Sequence, residues 1–357
     1  MLHAVVMAGG SGTRFWPESL AATPKQLLRL VGDRTMIQMT VDRLGDLVTP
    51  ERVLIVTNER LTDAVAEQLP ELPQEAIIGE PCKRDTAPCI GLAAMHVARD
   101  DPDATMVVMP ADHVIQPDEV FQNAIRRAVE VVEQRPGCLV TFGIPPTFPA
   151  QTFGYIERGE PLVEGDRAFA VKRFREKPDA KTAQEYVDAG GFYWNSGIFV
   201  WKAKTILDAL AEHQQDLYGH LEKIAQARGT SDFEEVFRRE FAEIRGVSID
   251  YAVMENARDI VVLEAPFQWD DVGSWQALAR LHGEDEHGNT IVGKHLGLNT
   301  TGSIVRTVGD HLVVTLGVKD CVVVHTLHAT LVADKHQEEA IRDVVAELKE
   351  RGWDAYL

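Results

Sequence analysis

The chain has 357 residues, 45% hydrophobic and 25% charged, enough for a large core and a smaller second domain. Its formal net charge of −19 argues against nucleic acid or an anionic membrane surface as partner, and no run of 18 apolar residues offers a membrane span. Four cysteines without a C-x-x-C pair (Cys82, Cys89, Cys138, Cys321) and an N-terminus that enters a strand without a leader pattern suggest reduced thiols in the cytoplasm.

The run Ala4-Val5-Val6-Met7-Ala8 reads as a buried strand. It leads into Gly9-Gly10-Ser11-Gly12-Thr13-Arg14-Phe15-Trp16-Pro17, with Pro24-Lys25-Gln26 beyond. Three glycines let the backbone fold closely around a ligand and turn its N–H groups inward as an anion cradle. Arg14 adds a planar fork for phosphate oxygens and Lys25 a compact charge. No Gly-Lys-[Ser/Thr] follows, which excludes a P-loop, and Phe15 stands where a dinucleotide fingerprint needs its third glycine. The glycines alone fit an ordinary turn equally well. With Arg14, Pro17 and Pro24-Lys25-Gln26 the reading becomes a nucleoside-triphosphate site at the first strand-to-loop turn, over Ala8, Gly9, Gly10, Ser11, Gly12 and Thr13.

Periodicity predicts a helix over 35–44, a strand over 53–56 and a helix over 61–69 closed by Pro70. Strand then helix, repeated, predicts an α/β fold: a doubly wound, mainly parallel sheet with ligands outside the carboxyl ends of its strands. Glu80-Pro81-Cys82-Lys83-Arg84-Asp85-Thr86-Ala87-Pro88 precedes a helix to about Arg99, with Thr86 as the expected N-cap. Taken alone this is a capped helix entry, although a carboxylate such as Glu80 can accept paired N–H donors from a guanine edge.

Asp112 follows the apolar run 106–109, where a carboxylate suits Mg²⁺ or an ordinary turn; His113 is read as structural because Mg²⁺ prefers oxygen. A long helix is expected over 118–135 and a strand over 139–143. Beyond it, Gly154 can admit a sugar close to the backbone, and Tyr155 fits either that role or core packing. Lys177 precedes a proline and is expected to be extended. Asn195 opens the apolar run 198–201 and can donate to and accept from vicinal hydroxyls.

From 203 to about 256 the pattern is mainly helical and includes the site candidates Asp250 and Glu255. A strand over 260–263 leads to Trp269-Asp270-Asp271-Val272-Gly273-Ser274-Trp275. Asp271 is the second metal candidate; it and Asp112 follow strands and can meet at one sheet edge. Polar residues near 283–289 place a boundary between a domain of 1–284 and a β-rich domain of 285–357. The latter is expected to be a small sheet or a few turns of β-helix. It ends in a helix that starts at Asp334, capped with Gln337 and striped by Ile341, Val344, Val345 and Leu348. A packing or dimer-forming role suits it.

These spaced runs resemble sugar-nucleotide pyrophosphorylases, and among them the mannose-1-phosphate guanylyltransferases. The resemblance rests on Gly-Gly-Ser-Gly-Thr-Arg-Phe-Trp-Pro with Pro-Lys-Gln, and on Glu80-Pro81 with Thr86-Ala87-Pro88. Further on it includes Ala111-Asp112-His113, Gly154-Tyr155-Ile156, Phe174-Arg175-Glu176-Lys177-Pro178, Asn195-Ser196-Gly197 and Asp271-Val272-Gly273-Ser274-Trp275. Asp85 stands where the family usually has Asn.

The resemblance implies transfer of a guanylyl group from GTP to α-D-mannose 1-phosphate, giving GDP-mannose and pyrophosphate. Arg14 and Lys25 would hold the nucleotide phosphates, with Ala8 to Thr13, Glu80, Pro81 and Thr86 around the nucleotide. Asp112 and Asp271 would carry Mg²⁺ or another divalent ion such as Mn²⁺. Lys177 would hold the phosphate of the sugar, and Gly154, Tyr155, Glu176 and Asn195 the sugar itself. No histidine is nominated for proton transfer. A different sugar such as a manno-heptose 1-phosphate, another base, or a non-catalytic sugar-nucleotide sensor are the alternatives. The chain ends at Leu357, soon after the small domain, so no isomerase domain is expected.

Overall fold

The computed structural model describes residues 1–357. The chain divides into two compact units: Met1–Gly9, Val41–Ala111 and Ile115–Trp269 form the larger, and Gly10–Thr40, Asp112–Val114 and Asp270–Leu357 the smaller. The first strand and the glycine loop that it feeds therefore belong to different units.

In chain order the first elements are β1 (Leu2–Ala8), α1 (Met36–Asp42), β2 (Val53–Asn58), α2 (Thr62–Gln68), β3 (Ile77–Glu80), α3 (Thr86–Asp100), β4 (Thr105–Pro110), β5 (Val114–Gln116) and α4 (Asp118–Gln134). There follow β6 (Leu139–Ile144), β7 (Tyr155–Pro161), β8 (Ala168–Arg175), α5 (Ala180–Ala189), β9 (Phe192–Lys202), α6 (Ala203–His213), α7 (Gln215–Ala227), α8 (Phe233–Glu243) and β10 (Ile260–Glu264).

The larger unit holds a nine-stranded sheet in the order β3-β2-β1-β4-β9-β6-β10-β8-β7. The expected parallel β-α-β pattern is present: β2 and β4 flank β1 in parallel, β3 follows β2, and β10 runs parallel to β6. The sheet is mixed, because β9 lies antiparallel between β4 and β6, and β8 and β7 add an antiparallel edge. An apolar run such as 198–201 announces a buried strand but carries no information on its direction. The core of this unit joins sheet residues such as Val5, Met106, Val108 and Trp201 to Ile90, Leu210, Leu221 and Phe241 on the helices.

Helix α3 begins one residue earlier than expected. Asp85, not Thr86, is its cap: Asp85 sits at φ 69°, and its Oδ1 accepts from the Thr86 N–H at 3.0 Å. Aspartate caps well, and here the cap holds a positive-φ, extended conformation (ψ −171°) that residues other than glycine rarely adopt.

The smaller unit contains β11's last residue (Gln268–Asp270), α9 (Ala277–His282), β12 (Thr290–Val292), β13 (His295–Leu298), β14 (Ile304–Thr307), β15 (Val313–Leu316), β16 (Cys321–His325), β17 (Thr330–Asp334) and α10 (Ile341–Glu350). β12, β14 and β16 pair in parallel, as do β13 and β15, giving the turns of a β-helix that β17 closes antiparallel. Ile304, Val322, Val324, Leu331 and Ile341 share a core with Phe15, Leu28, Leu30 and Trp275. Asp334 caps a 3-10 turn over Lys335–Ala340, its side chain accepting from the His336 N–H, and the α-helix starts only at Ile341. The short aspartate side chain reaches the amide two residues on, so Gln337 is not its partner. No helix is long and apolar enough to cross a membrane.

Candidate active site

In the smaller unit the glycine loop packs on Lys25. Gly12 adopts φ +59°, and a Cβ there would fall 2.5 Å from Lys25 Cβ, so only glycine lets the loop lie this close. Thr13–Phe15 then form a 3-10 turn, and Phe15 is buried edge-on against Trp275, 4.9 Å between ring centroids. That anchor turns Arg14 towards a cavity of about 220 Å³ lined by residues 11–15, Lys25, Asp112, His113, residues 271–273 and Arg342. Arg14 Nη1 donates to the Gly273 carbonyl at 3.0 Å and Nε to Glu339 Oε2 at 3.0 Å.

Lys25 is buried, and its Nζ donates to Asp112 Oδ2 at 2.9 Å and to the Asp271 carbonyl at 2.6 Å. The two carboxylates respond oppositely. Desolvation alone would raise the Asp112 carboxyl, but the Lys25 charge, His113 and the Lys25 hydrogen bond together hold it below the usual range. Desolvation dominates at Asp271 and raises it. The loop between them and the next helix is held in an uncommon conformation. Val272, β-branched and fully buried, sits at φ 47°. Its N–H donates to Asp270 Oδ1 at 2.7 Å, and Arg280 clamps the same carboxylate at 2.6 and 3.0 Å.

The larger unit carries the remaining candidates. Ala8 is buried at the end of β1, and Gly9 follows exposed. The Glu80 carboxylate lies beside Gly9, its Oε2 3.6 Å from where a Cβ would stand. Glu80 is 7% exposed, its Oε1 has no hydrogen-bond partner, and burial pushes its carboxyl up to about 8. An unpaired buried acceptor of this kind is costly unless a ligand completes it. Pro81 follows at half burial, and the Thr86 hydroxyl accepts from the Ile249 N–H at 2.8 Å, which ties the entry of α3 to the 248–254 turn.

Gly154, Glu176, Lys177, Asn195 and Asp250 form a second cluster in this unit. A Cβ on Gly154 would collide with the Glu176 carboxylate, and Asn195 Cβ lies 3.4 Å from the same point. Glu176 Oε1 accepts from Lys177 Nζ at 2.6 Å, and the Glu176 N–H donates to Glu255 Oε1 at 3.2 Å. Asn195 Nδ2 donates to Asp250 Oδ1 at 2.9 Å, while Asn195 Oδ1 accepts from Thr141 and from the Gly197 N–H, both at 3.2 Å. Asp250 opens a π-turn over Asp250–Met254, and burial first, then the Glu176 charge, lifts its carboxyl to about 7. Lys177 is not extended as the following proline suggests: it adopts φ 45°. Tyr155 is fully buried, its ring 5.3 Å from that of Tyr186, so its side chain packs in the core.

Comparison with known proteins places the chain in a family. Residues 3–288 match the nucleotidyl transferase family and residues 293–348 the mannose-phosphate isomerase/GMP-like β-helix domain. Over 98% of its length the chain is 42% identical to the mannose-1-phosphate guanylyltransferase of Escherichia coli strain K12, spanning 74% of that protein. The chain belongs to the mannose-1-phosphate guanylyltransferase family. A solved Thermus thermophilus structure, named mannose-1-phosphate geranyltransferase, is 34% identical, covers 98% of this chain and 99% of its own, and superposes with a TM-score of 0.87. A Helicobacter pylori structure named mannose-6-phosphate isomerase is 29% identical over 75% of this chain and 99% of its own, with a TM-score of 0.62.

Set beside the motifs that mark this family, the structure groups Arg14, Lys25, Asp112 and Asp271 on one cavity wall, and Gly154, Glu176, Lys177 and Asn195 in another cluster. Three neighbours were not readable as site residues. Asp270 steadies the Val272 turn, and its only sequence signal is adjacency to Asp271. Arg342 lines the cavity from the last helix, and Glu339, on the turn before it, pairs with Arg14; nothing in a heptad-like stripe of Ile341 and Val345 reveals that.

Proposed function

We propose that this chain makes GDP-mannose and pyrophosphate from GTP and α-D-mannose 1-phosphate, with the nucleotidyl transfer in residues 1–284 and a supporting β-rich domain in 285–357. The observation that carries the reading is the single cavity shared by Arg14, Lys25, Asp112 and Asp271. Two cations and two carboxylates around one small polar volume suit a polyphosphate and a hard divalent ion.

The acidic pair fits Mg²⁺ or Mn²⁺. Both residues offer carboxylate oxygens, and the Lys25 ammonium already sits against one of them as a cation. When bound, the metal would neutralise phosphate charge and polarise the phosphoryl group. Arg14 and Lys25 bind and orient the nucleotide phosphates. The orphan Glu80 carboxylate accepts the paired N–H groups of guanine. Lys177 holds the phosphate of the sugar 1-phosphate, while Glu176 and Asn195 take its hydroxyls, with Asp250 fixing the Asn195 amide. An oxygen of the sugar phosphate attacks the α-phosphorus in line, and pyrophosphate leaves opposite. That phosphate is ionised at neutral pH, so no general base is needed, and rate enhancement comes from positioning and charge.

The protein works as a homodimer in this reading, supported by an apolar row on the β-helix. Leu296 and Leu298 on β13 pair with Val314 and Leu316 on β15, and all four are between 50% and 71% exposed. A cytoplasmic setting is supported by the four free cysteines.

The deciding measurement is pyrophosphate release from GTP with mannose 1-phosphate, with and without Mg²⁺. A panel of other nucleotides and sugar phosphates, manno-heptose 1-phosphate included, tests the assignment of base and sugar. Binding without turnover on every pair would make the chain a sensor.

A further inference from the structure

The helix that closes the β-helix carries Arg342 to the phosphate cavity, and Glu339, on the turn before it, pairs with Arg14 on the cavity wall. Glu339 Oε2 accepts from Arg14 Nε at 3.0 Å and lies 3.9 Å from Arg342 Nη1, so two guanidinium groups straddle one anionic oxygen. Arg342 also lines the cavity with Lys25 and Asp271. This placement is fixed from both sides. Glu338, one residue before, accepts from the Gln276 N–H at 3.1 Å and from Gln276 Nε2 at 2.9 Å, and Gln276 Nε2 also donates to the Lys335 carbonyl at 2.9 Å. Ile341, one residue before Arg342, is buried in the core of the unit.

A carboxylate oxygen hydrogen-bonded to one arginine and 3.9 Å from a second, half-exposed one is the kind of anion that a phosphoryl oxygen can replace by charge-assisted recognition. Arg14 has its Nη1 committed to the Gly273 carbonyl, so its orientation is set independently of Glu339. We propose that Arg342, supplied by the β-helix domain, is a further phosphate-binding residue of the nucleotidyltransferase site, and that Glu339 is an internal stand-in which the polyphosphate displaces. The inference rests on the phosphate role given above to Arg14. It makes the small domain a contributor to binding rather than only a scaffold, with the glutamate setting a threshold that a weakly charged ligand does not pass.

The test compares wild type, Arg342→Ala, Arg342→Lys and Glu339→Gln for binding of inorganic pyrophosphate and of GTP by titration calorimetry. Arg342→Ala is expected to weaken both about tenfold, Arg342→Lys to recover part of the loss, and Glu339→Gln to tighten both, since the competing charge is gone. Arg342→Ala should also lower the slope of log Kd against log salt while leaving the thermal midpoint unchanged, which a purely structural residue would not do. Arg342→Ala protein that binds pyrophosphate as tightly as wild type, or Glu339→Gln protein that binds it no tighter, overturns the proposal. The comparison needs no sugar phosphate, so it stands even if GTP and mannose 1-phosphate yield no product. That failure would instead strike the proposed reaction.

Discussion

Glu80 is the residue whose burial is hardest to explain without a ligand. Between its ordinary value of 4.5 and about 8, the folded chain keeps a proton on this carboxyl that the unfolded chain has released. Its contribution therefore favours unfolding progressively as pH rises through that window, by a few kcal/mol at most. Glu80→Gln should raise the thermal midpoint at pH 9 and change it little at pH 4, while weakening GTP binding; calorimetric melts at the two pH values check it. Gly154 supplies a second residue-level test. A methyl group there meets the Glu176 carboxylate, so Gly154→Ala should raise the KM for mannose 1-phosphate about tenfold and leave the KM for GTP near wild type. An equal rise in both would detach Gly154 from the sugar.

Among elements, the Asp270–Gly273 turn shows how strain and function coincide. Val272 is held at φ 47° by burial and by its bond to Asp270, which Arg280 in turn holds. Asp270→Ala should release the turn and raise the Mg²⁺ concentration needed for half-maximal turnover about tenfold, with kcat at saturating metal largely retained. The strands and the glycine loop were legible because their signals are local: continuous apolar runs, a Gly-rich break and charged residues just after it. The direction of β9 was not, since burial on both faces erases alternation whichever way the strand runs. The left-handed Lys177 overrides the usual effect of a following proline through the tertiary setting of Glu176 and Glu255. Glu339 and Arg342 escape sequence reading because their relation to Arg14 spans more than 300 positions and exists only once the β-helix has formed.

For the whole molecule, the excess of acidic residues keeps the surface polar, and the β-helix interrupts it with Leu296, Leu298, Val314 and Leu316. Replacing Leu298 and Leu316 together by glutamate should convert a dimer to monomers in light scattering, with the far-ultraviolet spectrum unchanged; a wild type that is already monomeric refutes the dimer. The chain spans about three quarters of the length of its Escherichia coli strain K12 relative.

If guanine docks on it as proposed, the buried carboxyl of Glu80 turns substrate capture into an acid-releasing event. In the empty pocket at pH 7 it carries hydrogen; once two purine donors face it, it must be the anion. Up to one proton per GTP should enter the buffer, so the observed heat of binding should vary linearly with the ionisation enthalpy of the buffer chosen. Glu80→Gln should flatten that line.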